Sequence, residues 1–368
     1  MKEIDPSVLI VRGTKVTADA LRAGTGLSLV IRAGAGIDNI DMPAASDLGV
    51  FVSNCPGKNS IAVAELTMGL ILACDRRIPD QVIDLRQGKW NKAEYSKARG
   101  LFGRTLGIVG LGQIGREVAR RAKAFGMQVV AWSRNFTPDD AAQMGLGYCE
   151  TPIDVVRLSD VVSLNVAATA DTKHMANDEF FAAMRPGAYF INASRGSVVD
   201  EAALRRAVAE KGIRCGLDVY QNEPAGGTAE FRSEVAAAPG VYGTHHIGAS
   251  TEQAQIAIAH DVLRIMEAFI KHGEVPNCVN RLAKSSASHV LSIRHQNRPG
   301  VLAHVFRVLA DKAINVEEVE NIIYHGAHAT LARIHLDGVP DQAALEAIRA
   351  GNPHIISVDL TALDGKAP

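Results

Sequence analysis

No charge of one sign dominates this chain. Lys and Arg number 39 against 40 Asp and Glu over 368 residues, a formal net charge of −1. That balance excludes the broad basic face of a nucleic-acid binder and gives no reason to expect a membrane surface as partner. Cysteine is scarce. Cys55, Cys74, Cys149, Cys215 and Cys278 are far apart, odd in number and without a CxxC pair, which argues against a disulfide framework and a zinc site; no metal is expected. Long apolar runs are missing too: the longest, 61–74, is too short to span a bilayer and carries Glu65. The opening Met-Lys-Glu-Ile-Asp-Pro has no signal-peptide run. These absences predict a cytoplasmic protein with neither nucleic acid nor membrane as partner. What is present is 47% hydrophobic residues, enough at this length for two or three separate cores.

Short apolar runs at 8–11 and 28–32 read as buried strands separated by a helix-like segment. Residues 60–86 read as one long helix, and 105–134 as strand, glycine turn, helix, strand. Further strands are expected at 161–165, 187–192, 213–218 and 240–244, and a second long helix at 250–270. Strands alternating with helices imply right-handed crossovers and a parallel sheet. The polar stretch Lys284-Ser285-Ser286-Ala287-Ser288 has linker composition. Beyond it, 289–361 reads β-α-β-β-α-β with a hairpin turning near His325-Gly326, the pattern of a small ferredoxin-like module.

The glycines of Val109-Gly110-Leu111-Gly112-Gln113-Ile114-Gly115 sit between an apolar strand and an amphipathic helix. In that context Gly110 permits the tight turn and Gly112 a close backbone approach to a pyrophosphate. Gly115 allows helix–strand packing, and the helix N-terminus faces the phosphates. At the end of the next strand, where an NAD site places a carboxylate on the ribose, stand Ser133 and Arg134. An arginine there can pair with a 2′-phosphate. NAD and NADP both stay open, with a lean to NADP.

Three later strands end in polar residues: Asn192-Ala193-Ser194-Arg195-Gly196, Asp218-Val219-Tyr220-Gln221-Asn222-Glu223-Pro224, and His245-His246-Ile247-Gly248. Ligands bind at the carboxyl ends of strands in an open parallel sheet, so these ends deliver Arg195, Glu223 and His246 to one crevice. A guanidinium binds a carboxylate bidentately and polarises a keto oxygen. An imidazole moves the hydroxyl proton, and a glutamate holds that imidazole and favours its charged form. The set points to redox chemistry on a small acid.

With these motifs the chain resembles the D-isomer-specific 2-hydroxyacid dehydrogenases, matched at 103–126, 187–201, 216–224 and 245–255. Within the family it is most similar to the branch that acts on 3-phosphoglycerate. That likeness rests on Leu9-Ile10-Val11-Arg12, on Arg32-Ala33-Gly34-Ala35-Gly36-Ile37-Asp38-Asn39-Ile40-Asp41, on Asn59-Ser60 with Ala64-Glu65-Leu66-Thr67, and on Gly248-Ala249-Ser250-Thr251. The resemblance implies an α/β protein with a Rossmann-type dinucleotide-binding domain (87–253) inserted in a flavodoxin-like substrate domain (1–86 with 254–282). A linker (283–288) and a ferredoxin-like ACT α+β domain (289–368) follow. It gives Arg195, Glu223 and His246 the catalytic roles and brings Asp218 to the nicotinamide amide. Arg12 and Arg32 meet the substrate's phosphate or carboxylate, and Asn59 and Lys58 flank the substrate. The reaction implied makes 3-phosphohydroxypyruvate, the first step of L-serine synthesis. The alternatives are an NADPH-preferring reductase of glyoxylate, hydroxypyruvate or another 2-keto acid, and a non-catalytic ligand sensor that keeps the fold.

Ile293-Arg294-His295-Gln296-Asn297-Arg298-Pro299-Gly300, followed by Ile314-Asn315-Val316, resembles an ACT domain. The likeness implies side-by-side pairing, and L-serine held by His295, Asn297 and Asn315. A homodimer or homotetramer is the expected assembly. Three departures stand out. The family's usual first strand and helix do not precede Val8, His245 replaces the proline before the catalytic histidine, and Ser133 replaces an acidic residue.

Overall fold

Runs of branched aliphatic residues buried on both faces make parallel strands that must be covered by helices on both sides. The computed structural model of the protein describes residues 3–224, 227–282 and 285–363. They fall into two units, Met1–Asn280 and Arg281–Pro368.

The first unit holds two parallel sheets. In the smaller, β1 (Val8–Val11), β2 (Leu29–Arg32) and β3 (Phe51–Asn54) lie in the order β1-β2-β3, with Val8 beside Leu29 and Leu29 beside Phe51. The helices Ala18–Arg22 and Met42–Asp47 cover one face, packing Leu21, Ala44 and Ala45 against Val30 and Val52. The helix Glu252–His272 covers the other with Ile258, Val262 and Ile265 on Leu29 and Ile31. β3 escapes sequence reading because half of it is polar: Ser53 is fully buried, and its hydroxyl donates to the Pro276 carbonyl at 2.6 Å.

The larger sheet has seven parallel strands. These are β4 (Thr105–Val109), β5 (Gln128–Trp132), β6 (Gly147–Tyr148), β7 (Val161–Leu164), β8 (Tyr189–Asn192), β9 (Arg214–Leu217) and β10 (Val241–Gly243). Their order is β10-β9-β8-β7-β4-β5-β6. The chain winds outward from β4 on one side and from β7 on the other, so a crevice opens at the carboxyl ends of these two strands.

One expectation needs correction. The 60–86 segment is two helices, Ser60–Arg76 and Ile78–Arg86, broken at Arg77, which is left-handed with φ 52°. Pro79 lacks the N–H that would bond to Asp75, so the ladder cannot continue through it. The first of these helices packs on the seven-stranded sheet. Its Ala64, Met68 and Ile71 are buried against Leu106, Ile108 and Ile191 of the seven-stranded sheet. Its apolar face is wide enough to choose either core, and only tertiary packing decides which.

The second unit is one antiparallel sheet, ordered β12-β13-β11-β14, of β11 (His289–Gln296), β12 (Val316–Ile323), β13 (Ala329–Leu336) and β14 (Ile355–Ala362). The helices Val301–Asp311 and Gln342–Gly351 pack Val305, Leu309 and Ile348 on Leu291, Ile293, Ala332 and Ile334. This is the expected β-α-β-β-α-β module. Residues 283 and 284 of the expected linker, and 364–368, lie outside the described residues. Among the described residues the five cysteines are free, no group of side chains could hold a metal, and no helix is long and apolar enough to cross a membrane.

Candidate active site

β4 ends in a turn that only glycine fits. Gly110 has φ 96°, its N–H donates to the Trp132 carbonyl at 2.8 Å, and a side chain on it would press on the Asn165 carbonyl. A methyl on Gly115 would run into the Gly110 carbonyl, whereas nothing lies within 4 Å of one on Gly112. The helix Gln113–Ala124 therefore starts tight against the strand, with open space in front of its free N–H groups. Gln113 and Ile114 border that space. This cradle fits a dinucleotide pyrophosphate. Ser133 is half-buried just past β5, and Arg134 is exposed with no hydrogen bond or ion pair to its side chain among the described residues.

The crevice encloses about 810 Å³ and is bordered by Arg32, Asn59, Arg195, Asp218 and His246 among others. Each arrives by a local device. Beyond β8, the Asn192 side-chain oxygen accepts from the Ser194 N–H and hydroxyl (3.0 and 2.7 Å) while its amide donates to the Arg195 carbonyl (2.9 Å). That folds the turn that aims Arg195. The guanidinium donates from Nε and Nη2 to Asp38, at 3.1–3.2 Å, and from Nη1 to the Ser194 carbonyl at 2.7 Å.

Beyond β9, Asp218 is buried and organises the next loop. Its carboxylate accepts from the Thr244 hydroxyl (2.6 Å) and from the N–H groups of Ile247 and Gly248 (both 2.9 Å); its carbonyl accepts from the His246 N–H at 2.8 Å. His246 is held at φ 52°, a strained conformation for a residue with a side chain. Its Nδ1 bonds to Glu223 Oε2 at 2.6 Å, and Glu223 Oε1 accepts from the Tyr220 N–H at 2.7 Å. His245 is exposed and does not border the crevice.

Burial pushes the Glu223 carboxyl up. The hydrogen bonds from His246 and Tyr220, with the charges of His246 and Arg195, more than offset that and hold it below the ordinary glutamate value. A carboxylate lowered in this way stabilises the fold above its unfolded-state value, and that stabilisation is lost as pH falls through the folded-state value. Glu223→Gln is therefore expected to reduce stability at neutral pH and to match the wild type once both are acidified past that point. Urea unfolding across the acid range measures it.

The expected substrate residues divide. Arg32 and Asn59 border the crevice, and Arg32 Nε and Asn59 Oδ1 are buried without partners. Burial and the Arg195 charge lower the Arg32 guanidinium from its ordinary value, and Asp38 opposes them. Lys58 instead turns to buried Asp261, 3.8 Å away, an acid that also accepts from Arg264 Nε at 2.9 Å. Arg12 is exposed, makes no side-chain bond among the described residues and does not border the crevice. Asp38 and Asn192 are the residues sequence reading passed over. Asn192, two before a serine at a strand end, carries a readable turn signal; Asp38 carries none.

In the second unit His295 is buried. Its Nδ1 donates to the Gln296 carbonyl at 2.7 Å, and its Nε2 has no partner. Thr330, opposite it on β13, likewise keeps a buried unpartnered hydroxyl. Asn297 donates to the Ala327 carbonyl and Asn315 to Glu317. No hydrogen bond joins the three expected ligand residues to one another.

Comparison with known proteins bears on both units. Residues 68–248 match the D-isomer specific 2-hydroxyacid dehydrogenase, NAD binding domain, and 289–350 match the ACT domain. A hydroxypyruvate reductase of Thermotoga maritima is 42% identical over 261 residues, 69% of this chain and 80% of the relative. The chain belongs to the D-isomer specific 2-hydroxyacid dehydrogenases. A D-3-phosphoglycerate dehydrogenase of Methanocaldococcus jannaschii is 39% identical over 278 residues, 75% of this chain and 52% of that one. The chain spans about half the length of the curated phosphoglycerate dehydrogenases it matches. Among solved structures, an NADPH-dependent glyoxylate/hydroxypyruvate reductase of Sinorhizobium meliloti, in complex with NADP and malonate, superimposes with TM-score 0.66 at 30% identity. It covers 74% of this chain and 83% of the reductase. In this member of the family Gly112, Gln113 and Ile114 of the cradle open onto the same space as Arg195 and His246.

Proposed function

We propose that this 2-hydroxyacid dehydrogenase interconverts 3-phosphoglycerate and 3-phosphohydroxypyruvate with NAD(P), the entry to L-serine synthesis. The observation that carries this is a pair of cations, Arg195 and Arg32, bordering the same crevice as His246, which suits a small acid with a second anionic group. Gln113 and Ile114 at the helix start hold the pyrophosphate, and Asp218 borders the nicotinamide side. The cofactor supplies or accepts the hydride. Arg195 binds the carboxylate and draws electron density toward the keto oxygen, where His246 delivers the proton. Glu223 holds the imidazole with Nε2 toward the substrate.

A second reading has its own support. Arg12 and Lys58 stand away from the crevice, leaving Arg32 as the extra cation, and the T. maritima relative is a hydroxypyruvate reductase. Initial rates with phosphohydroxypyruvate, hydroxypyruvate and glyoxylate, each with NADH and NADPH, decide. A clear preference for the phosphorylated acid is expected, and its absence would move the protein to the reductases. NADPH is expected to be favoured modestly, since no carboxylate stands at Ser133 and Arg134 is free to pair with a phosphate. L-serine inhibition through His295, Asn297 and Asn315, a homodimer or homotetramer and a cytoplasmic location complete the proposal.

A further inference from the structure

We infer that Asp38 is a positioning residue that fixes which edge of the Arg195 guanidinium meets the substrate. The inference rests on the reading of Arg195 as the substrate-binding arginine. A guanidinium has a side-on edge, Nε with Nη2, and an end-on edge, Nη1 with Nη2, and carries five N–H donors in one plane. Asp38 takes the side-on edge through both of its oxygens, and the Ser194 carbonyl takes one hydrogen of Nη1. One N–H on each of Nη1 and Nη2 is left, and no described residue bonds to them. The end-on edge, Nη1 with Nη2, is the edge that Asp38 leaves open, and Arg195 borders the crevice. The end-on pair matches a carboxylate, or one carboxylate oxygen with a keto oxygen.

The backbone makes room for this arrangement. Gly36, two residues before Asp38, lies so close to Arg195 Nη2 that a methyl there would collide with it. Asp38 also lies within electrostatic reach of Arg32, whose guanidinium it favours while Arg195 opposes it. One carboxylate thus bonds to Arg195 and favours the charged form of Arg32. An arginine has many rotamers, and an unheld one would lose its aim. Asp38 supplies that hold from the small sheet, while Arg195 comes from the large one. Arg195 is therefore fully aimed only when both walls of the crevice are in place. The opposite possibility is that Asp38 occupies the substrate's own place and must be expelled.

The two differ in sign. Asp38→Asn keeps one acceptor oxygen and Asp38→Ala keeps none. Positioning predicts that kcat/KM for a 2-keto acid falls about 10-fold in Asp38→Asn and toward 100-fold in Asp38→Ala, with the KM for NAD(P)H and the melting temperature unchanged. Oxalate, a small dicarboxylate, is the binding probe. Its affinity for the NADH-loaded enzyme, measured by calorimetry, falls in the same order. Asp38→Asn in an Arg195→Lys background adds no further loss, since the residue acts through Arg195. Unchanged or tighter oxalate binding in Asp38→Asn overturns the inference, as does a wild type that does not bind oxalate. A wild type that binds oxalate but turns over no 2-keto acid would sink the activity proposal alone. Normal turnover in Asp38→Ala would sink the positioning role alone.

Discussion

Replacing His246 by Ala is expected to lower turnover of a 2-keto acid by about 10²–10⁴-fold, with NAD(P)H binding unchanged. The imidazole borders the crevice, and its Nδ1 is bonded to Glu223, which leaves Nε2 for a substrate oxygen. Its backbone is held at φ 52° by Asp218, which bonds to four groups of the 244–248 loop. Strain retained by that many bonds is the mark of a residue whose placement matters more than its local stability. Among the described residues bordering the crevice no other imidazole is bonded to a carboxylate, so little should compensate for its loss. Cofactor binding should survive, because the cradle at Gly110–Gly115 lies on another strand end. Steady-state kinetics with a fluorescence titration of NADH read both quantities. Loss in His245→Ala instead would move the proton to the neighbouring imidazole. A wild type inert toward every 2-keto acid would favour a ligand-sensing role.

Gly196→Ala is expected to be nearly as damaging to activity, although Gly196 does not border the crevice. A methyl there would be driven into the Tyr220 carbonyl and the Gln221 N–H. Those atoms belong to the loop that leads from Asp218 to Glu223, and the Tyr220 N–H holds Glu223 itself. The obstacle is backbone, not the flexible end of a side chain, so the two loops must separate. Arg195 then moves away from Glu223 and His246. Overpacking of this kind costs about 1–3 kcal/mol in stability. A displacement of about 1 Å in an aligned site lowers rate on the order of 10²-fold. Thermal unfolding and kcat together test the point. An unchanged kcat would mean that the two loops are not coupled through this contact.

The sequence by itself determined the parts that depend on local chemistry. Gly110, Gly112 and Gly115 lie between a buried strand and an amphipathic helix, and that pattern was enough to place the tight strand-to-helix turn. Arg195, Glu223 and His246 each follow an apolar strand, and a parallel sheet brings such strand ends to one edge whatever the loop details. The order of strands and helices in the second unit was legible for the same reason: period and turn residues act over a few positions.

Tertiary structure decided the rest. The helix Ser60–Arg76 lies against the seven-stranded sheet because Ala64, Met68 and Ile71 find Leu106, Ile108 and Ile191 there, and no local signal names a distant core. Lys58 and Arg32 are both cations near the same loops, yet Lys58 turns to Asp261 while Arg32 faces the crevice. Asp38 reaches Arg195 across 157 positions of sequence. Side-chain pairing of this kind is a matter of distance in space, since Coulomb attraction and hydrogen bonding act over a few ångströms and take no account of chain separation.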